Sequence, residues 1–180
     1  MIEIVRATPQ LAGAVSAVGA QAFAEAFAAH NAWSDLVAHL EREYAPQVIA
    51  RRMGESGALY LLARDPRGPV GMALVEDGPT PSEARLVRVL PHGPAVQLHQ
   101  IYVLERARSH GVGAALLEAV VAEARARGAA CLWLGVWSNN PRAVRFYERH
   151  GFAVVGEHTF VLGTDAQRDH VMARELGPRR

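Results

Sequence analysis

Arg108-Ser109-His110-Gly111-Val112-Gly113-Ala114 stands between an apolar run, Leu98-His99-Gln100-Ile101-Tyr102-Val103, and a helical pattern that reaches Arg127. Two glycines one residue apart let the backbone turn tightly, so that successive N–H groups point into one concavity at a helix N-terminus. Such a concavity suits a phosphate or pyrophosphate, and Arg108 adds positive charge. Two other phosphate motifs are excluded by what is missing. A Walker A loop ends in Gly-Lys-Ser/Thr, whereas Gly113 is followed by Ala114 and Ala115. A dinucleotide fingerprint carries a third glycine where this chain has Leu116. On the motif alone, a plain strand-to-helix turn stands as the alternative.

Strand and helix patterns alternate on the C-terminal side. Leu116, Leu117, Val120, Val121 and Ala124 share one face of a helix from Gly113 to Arg127, which Gly128 ends. Cys131–Trp137 reads as a strand, Pro141–His150 as a helix closed by Gly151, and 152–162 and 169–176 as strands. On the N-terminal side, Val96–Val103 is a strand. Residues 77–94 hold four of the ten prolines and read as a long loop or interrupted strand. Leu59–Arg64 and Val70–Glu76 flank the turn residues Asp65-Pro66-Arg67-Gly68 and predict a hairpin. Ile2–Arg6 alternates as a strand, and Thr8-Pro9 predicts a hydroxyl-capped helix start leading to Phe27. Ser34-Asp35 predicts the cap of a second helix to Tyr44, and Pro46 the start of a third ending near Gly54. The string β-α-α-α-β-β-loop-β-α-β-α-β-β predicts an α/β (α+β) chain: a mixed sheet flanked by helices, without internal repeats.

The 180 residues and 19.5 kDa fit one domain spanning 1–180. Nineteen Lys+Arg against eighteen Asp+Glu leaves +1, which argues against broad electrostatic binding to nucleic acid or anionic lipid. The single cysteine, Cys131, excludes an internal disulfide framework and reads as a small buried residue. The eight histidines show no His-x-x-x-His or carboxylate-rich spacing, so no metal is expected. No apolar run approaches the roughly 20 residues that cross a bilayer, and the N-terminus lacks a secretory pattern. A soluble, cytoplasmic chain with no membrane partner is the expectation. Arg125 and Arg127 read as solvated charges, and Trp133 and Trp137 share one strand face.

A second motif follows at Asn139-Asn140-Pro141-Arg142-Ala143-Val144-Arg145-Phe146-Tyr147-Glu148-Arg149-His150-Gly151-Phe152. Together with Arg-x-x-Gly-x-Gly at 108–113, in this order and spacing, it resembles the GNAT acetyltransferase superfamily. Trp133–Trp137, the stretch from Gly156 to Gly163, Asp169–Met172 and Ala22–Phe27 with Asn31 are similar to its PaiA-type polyamine acetyltransferases. The resemblance spans nearly the whole chain and is densest from 98 to 176. It implies a mostly antiparallel sheet, splayed at the cofactor strand 98–103. It also implies direct acetyl transfer from acetyl-CoA to an amine, without a covalent enzyme intermediate. The pantetheine arm would pair with backbone along Ile101, Tyr102 and Val103. The pyrophosphate would sit on Arg108, Ser109, His110, Gly111, Val112, Gly113 and Ala114. Asn140 would contact the pantetheine arm, and Tyr147 would face the sulfur.

Within that frame, the departing CoA thiolate needs a proton, and a thiol of pKa roughly 8.5 is readily protonated by a nearby phenol. The alternative for Tyr147 is a core residue with a satisfied hydroxyl. The attacking alkyl amine must lose a proton, and the positions where related enzymes often place a carboxylate read Gln97 and His99. Gln97 is no base. His99 can serve directly or through water, or else simply pack in the sheet. The loss of acids there weakens the case for a polycationic acceptor, unless Glu25, Asp35, Glu76 or Glu157 compensates. The expected function is N-acetylation of a primary amine on a small molecule, with a polyamine-like acceptor first and acetyl-CoA as co-substrate. Acetylation of a protein N-terminus, a lysine, an amino acid or a drug is the alternative within the class. A non-catalytic acyl-CoA-binding protein is the alternative outside it. A homodimer stays open.

Overall fold

Glycine and proline set many of the element boundaries. The structure, a computed structural model, describes residues 1–55, 57–78, 89–162 and 165–177, with the backbone alone for 160–162 and 165–166. In chain order the strands are β1 (Glu3–Arg6), β2 (Leu59–Asp65), β3 (Gly68–Asp77), β4 (Ala95–Val103), β5 (Cys131–Trp137), β6 (Ala153–Leu162) and β7 (Asp165–Glu175). The helices are α1 (Ala12–Phe27), α2 (Trp33–Tyr44), α3 (Pro46–Met53), α4 (Val112–Ala126) and α5 (Pro141–Arg149). The strands hydrogen-bond in the order β1-β2-β3-β4-β5-β7-β6, a seven-stranded, mostly antiparallel sheet flanked by helices. Pairing is antiparallel for β1–β2, β2–β3 and β5–β7, and parallel for β4–β5.

Four local expectations change. Neither Thr8 nor Ser34 caps a helix. A 3-10 turn at Pro9–Leu11 leads into α1, and Leu11 N–H bonds the Thr8 carbonyl, so backbone does what a hydroxyl was expected to do. Likewise α2 starts at Trp33 behind Ala32, and Asp35 lies in its first turn, where a carboxylate favours the helix dipole. The last strand begins at Asp165 rather than 169. Its ladder with β5 starts at Trp137↔Asp169, so its first residues extend past the end of β5, and a polar extension of that kind carries no hydrophobic alternation. Arg127 is no solvated charge: its guanidinium reaches Asp77 at 2.7 Å and Glu123 at 2.9 Å. Of the proline-rich stretch, residues 79–88 lie outside the described residues, as do Arg179 and Arg180.

The chain divides into two compact units. The first comprises Met1–Val75, Gln100–Val120 and Leu162–Asp165; the second comprises Glu76–His99, Val121–Val161 and Ala166–Arg180. In the first unit, Val15, Val18 and Ala22 of α1 and Ile49 of α3 pack on Tyr60, Leu62, Met72 and Leu74. Each of the Val, Ile, Leu and Met side chains contributes on the order of 1.5–3 kcal/mol through burial. Gly19 lets the Tyr44 ring lie against α1: a Cβ there would stand 2.6 Å from two ring carbons. In the second unit, Trp133 is fully buried with Leu90, Val171 and Ala173, and Cys131 is buried with its Sγ 3.9 Å from the Pro91 carbonyl.

Candidate active site

The segment before α4 has the geometry its glycines suggest. A 3-10 turn, Glu105–Ala107, ends β4, and Arg108 is extended after it. Ser109 and Gly111 then adopt φ of +67° and +79°. Ser109 is the only non-glycine residue with positive φ among the described residues; the sequence placed it in the pyrophosphate loop but gave no sign of its left-handed backbone. Two left-handed residues two apart, directly before a helix, turn consecutive N–H groups toward one side. The first turn of α4 adds donors that no intrahelical carbonyl can take; Ala115 N–H is already bonded to the Gly111 carbonyl. A Cβ at Gly111 would meet nothing within 4 Å, so there is open space beside the loop at this residue.

Neighbouring side chains hold this loop in place. Arg108 donates from Nε to the Val103 carbonyl at 3.3 Å, and its Nη2 lies 3.9 Å from Glu25. Glu25 in turn accepts the Glu105 N–H at 2.6 Å. Glu25 is therefore a brace between α1 and the loop. His110 donates from Nδ1 to the Arg108 carbonyl at 2.9 Å, which leaves Nε2 as the acceptor nitrogen of the neutral ring. Gly71 on β3 brings the end of β4 close, since a Cβ would stand 3.0 Å from the Tyr102 carbonyl and 3.1 Å from Leu116. The Tyr102 side chain belongs to an aromatic cluster with Phe23, Phe27 and Tyr44. Any cofactor role for Tyr102 falls to its backbone.

In the second unit the decisive feature is the β4–β5 ladder. It consists of Ala95↔Cys131, Val96↔Leu132 and Gln97↔Trp133, and stops there, although β4 runs to Val103 and β5 to Trp137. Past Gln97, β4 continues as a strand to Val103. Two residues beyond the last pair, His99 is exposed, with Nδ1 3.2 Å from Glu76 Oε2. An Nδ1–H donated to that carboxylate leaves the Nε2 lone pair as the basic site. Gln97 is buried.

Asn140 caps α5: its Oδ1 accepts the Ala143 N–H at 3.1 Å, and Pro141 follows at the first helical position. At the other end, Gly151 has φ of +82°, and the Tyr147 carbonyl accepts from both His150 and Phe152. That closure fixes Tyr147, which is 7% exposed between the rings of Phe146 and Phe152 at centroid distances of 5.2 and 5.7 Å.

A strand that leaves its parallel neighbour, then a left-handed turn into a helix, is the arrangement found where a family model of the acetyltransferase (GNAT) family matches residues 21–152. This chain belongs to the acetyltransferase (GNAT) family. It is 30% identical over 161 residues to an uncharacterized N-acetyltransferase of Lactobacillus delbrueckii subsp. lactis, covering 89% of both chains. An uncharacterized N-acetyltransferase of Mycobacterium bovis is 44% identical over 81 residues, 45% of this chain and 52% of that one, so the match spans about half of that relative. Among solved structures, the PaiA N-acetyltransferase of Thermoplasma acidophilum in complex with coenzyme A superposes with a TM-score of 0.75. It is 16% identical, with 97% of this chain and 99% of that chain covered.

Two groups of this acetyltransferase escaped sequence reasoning. Glu76 was one of four dispersed acids, and only folding shows it to be the partner of His99. His158 and Asp169 form a second pair, with Nε2 4.0 Å from Oδ2, over the backbone of Gly135. Burial pushes the Asp169 carboxyl up, and the nearby His158 and His170 pull it the other way. Period-2 alternation along 152–162 and 169–176 would have grouped residues by face, but not across the strands. Glu157 is held by Arg168 at 3.7 Å and His170 at 3.8 Å. Among the described residues there is no group of three or more His, Cys, Asp or Glu able to hold a metal ion, and no helix long and apolar enough to cross a membrane.

Proposed function

We propose that this protein, as one acetyltransferase domain, transfers acetyl from acetyl-CoA to a primary amine of a small molecule, with a polyamine-like acceptor favoured. The observation that carries the reading is the ladder ending at Gln97↔Trp133 while β4 continues as a strand. A pantetheine arm has amide groups spaced for strand-like pairing, and Ile101, Tyr102 and Val103 would offer backbone partners. The 108–114 segment fits a pyrophosphate through its left-handed turn, its orphan helix N–H groups and the open space beside Gly111. In this reading Arg108 braces the loop as much as it supplies charge. Asn140 would meet the pantetheine arm with the amide nitrogen opposite its capping oxygen.

The step balances with these residues. The amine nitrogen attacks the thioester carbonyl carbon after its proton passes to Nε2 of His99, and Glu76 stabilises the imidazolium that forms. The C–S bond then breaks, the thiolate takes the Tyr147 phenolic proton, and the second proton of the attacking nitrogen passes to the Tyr147 phenolate, directly or through water, which leaves a neutral amide and restores the phenol. The acid near His99 comes from β3 rather than β4, which restores part of the case for a cationic acceptor. The test is CoA thiol release across a panel of alkyl amines, amino acids and a lysine-containing peptide. Turnover confined to small amines supports the proposal. Turnover confined to the peptide overturns the acceptor class, and CoA binding with no turnover on any acceptor favours a non-catalytic acyl-CoA sensor.

A further inference from the structure

The His158–Asp169 pair has a feature that fold maintenance does not explain. Asp169 is 8% exposed, and its Oδ1 is buried with no hydrogen-bond partner among the described residues. An isolated buried carboxylate oxygen is a standing cost in the free protein. The charges around it leave it short of cations. Arg168 is directed at Glu157, which also has His170 beside it. At its other oxygen His158 stands 4.0 Å away, beyond hydrogen-bond distance, and His170 also lies near the carboxylate. With the histidines neutral, Glu157, Arg168 and Asp169 sum to one negative charge.

The backbone beneath has been kept clear. Gly135 is exposed, and a Cβ there would stand 2.9 Å from His158 Nε2 and 3.5 Å from Asp169 Oδ2. The carboxylate therefore lies near the one position of β5 that has no side chain, between Trp133 and Trp137. Gly135 is two residues past the last β4–β5 pair, and His99 is two residues past it on β4. The Glu76–His99 and His158–Asp169 pairs thus each attach two residues beyond the last paired position, one on β4 and one on β5. Each pair joins one carboxylate to one imidazole. An acceptor with two basic nitrogens on a short alkyl chain matches that repetition.

We infer that Asp169, with His158 over Gly135, is a specificity site for the second, non-reacting ammonium of a diamine acceptor. The inference rests on the proposed small-amine acetylation with deprotonation at His99. The ammonium supplies the donor that the Asp169 carboxylate lacks, while the other nitrogen is left free to react.

The experiment compares kcat/KM for 1,4-diaminobutane and 1-aminobutane in the wild type, Asp169→Asn and Gly135→Ala, with CoA affinity and melting as folding controls. The wild type should prefer the diamine. Asp169→Asn should cut that preference about tenfold to a hundredfold, through KM for the diamine, in keeping with a lost hydrogen bond to a charged group. Gly135→Ala, which pushes the His158 ring aside, should cut it in the same direction. Calorimetric titration of the two amines into the wild-type CoA complex gives the same comparison without a variant. Equal binding of the two amines, or an unchanged preference in a folded Asp169→Asn protein, overturns the assignment of Asp169 and leaves amine acetylation standing. Failure of the wild type to acetylate either amine removes both.

Discussion

Substitution of Gly111 separates backbone strain from steric blocking at the cofactor loop. The native φ of +79° is one that an L side chain rarely adopts, yet a Cβ would touch nothing within 4 Å. The penalty for Gly111→Ala is therefore conformational, about 1–2 kcal/mol for an alanine held left-handed. If the free loop relaxes to negative φ, that penalty appears wholly in binding, and the Kd for CoA rises about 5- to 30-fold. If the loop stays strained, the same energy appears as lost stability, about 2–4 °C per kcal/mol for a chain of this size. Calorimetric CoA titration and thermal melting, read together, should account for the whole sum. Gly111→Asn is the discriminating variant, since asparagine tolerates the left-handed region although it is larger than alanine. Strain predicts that the Asn variant binds CoA more tightly than the Ala variant, and that Gly111→Val, which is β-branched, binds worst. Wild-type affinity together with wild-type melting in Gly111→Val would refute the reasoning and remove the loop from the cofactor site. An Asn variant weaker than the Ala variant would show that side-chain bulk, not φ, is decisive.

Tyr147→Phe keeps the packing against Phe146 and Phe152 and should lower kcat by roughly two to four powers of ten with CoA affinity unchanged. Melting beside it should show a loss of no more than about 1 kcal/mol, so a wild-type kcat under rate-limiting chemistry would return Tyr147 to the core. For His99, the kcat/KM profile should carry an acidic limb that flattens in His99→Ala, and Glu76→Gln should lower kcat/KM, because the imidazolium formed in the step loses its carboxylate. An identical profile in both variants would assign the proton to water or another group. Gly71→Ala places a methyl 3.0 Å from the Tyr102 carbonyl, a backbone atom that cannot swing aside. It should cost about 1–3 kcal/mol by chemical denaturation and weaken CoA binding through the displaced end of β4.

Sequence was most informative where chemistry is local. The glycines at 111, 128 and 151 mark positions of positive φ, and all three lie where a helix begins or ends. The apolar face Leu116, Leu117, Val120, Val121 and Ala124 is buried throughout, because a period of 3.6 residues shows in one segment alone. Asn140 and the Gly151 closure were likewise legible, since caps depend on residues within a turn of the helix end. The order of strands and helices followed from the same short-range signals.

Tertiary structure decided whatever depends on two segments far apart in the chain. That β4 parts from β5 after Gln97↔Trp133 cannot be read from either strand, because each continues with apolar residues past the point where pairing ends. Arg127 looks solvated within its own helix and is captured by Asp77, fifty residues away. Tyr102 sits in a quoted cofactor strand, but its ring is claimed by Phe23, Phe27 and Tyr44. The pairing of Glu76 with His99, and of His158 with Asp169, is set by which strands become neighbours. Sequence supplied a base without a partner and several scattered acids. Strand order brought them within ion-pair distance, since electrostatic coupling depends on separation in space and not along the chain.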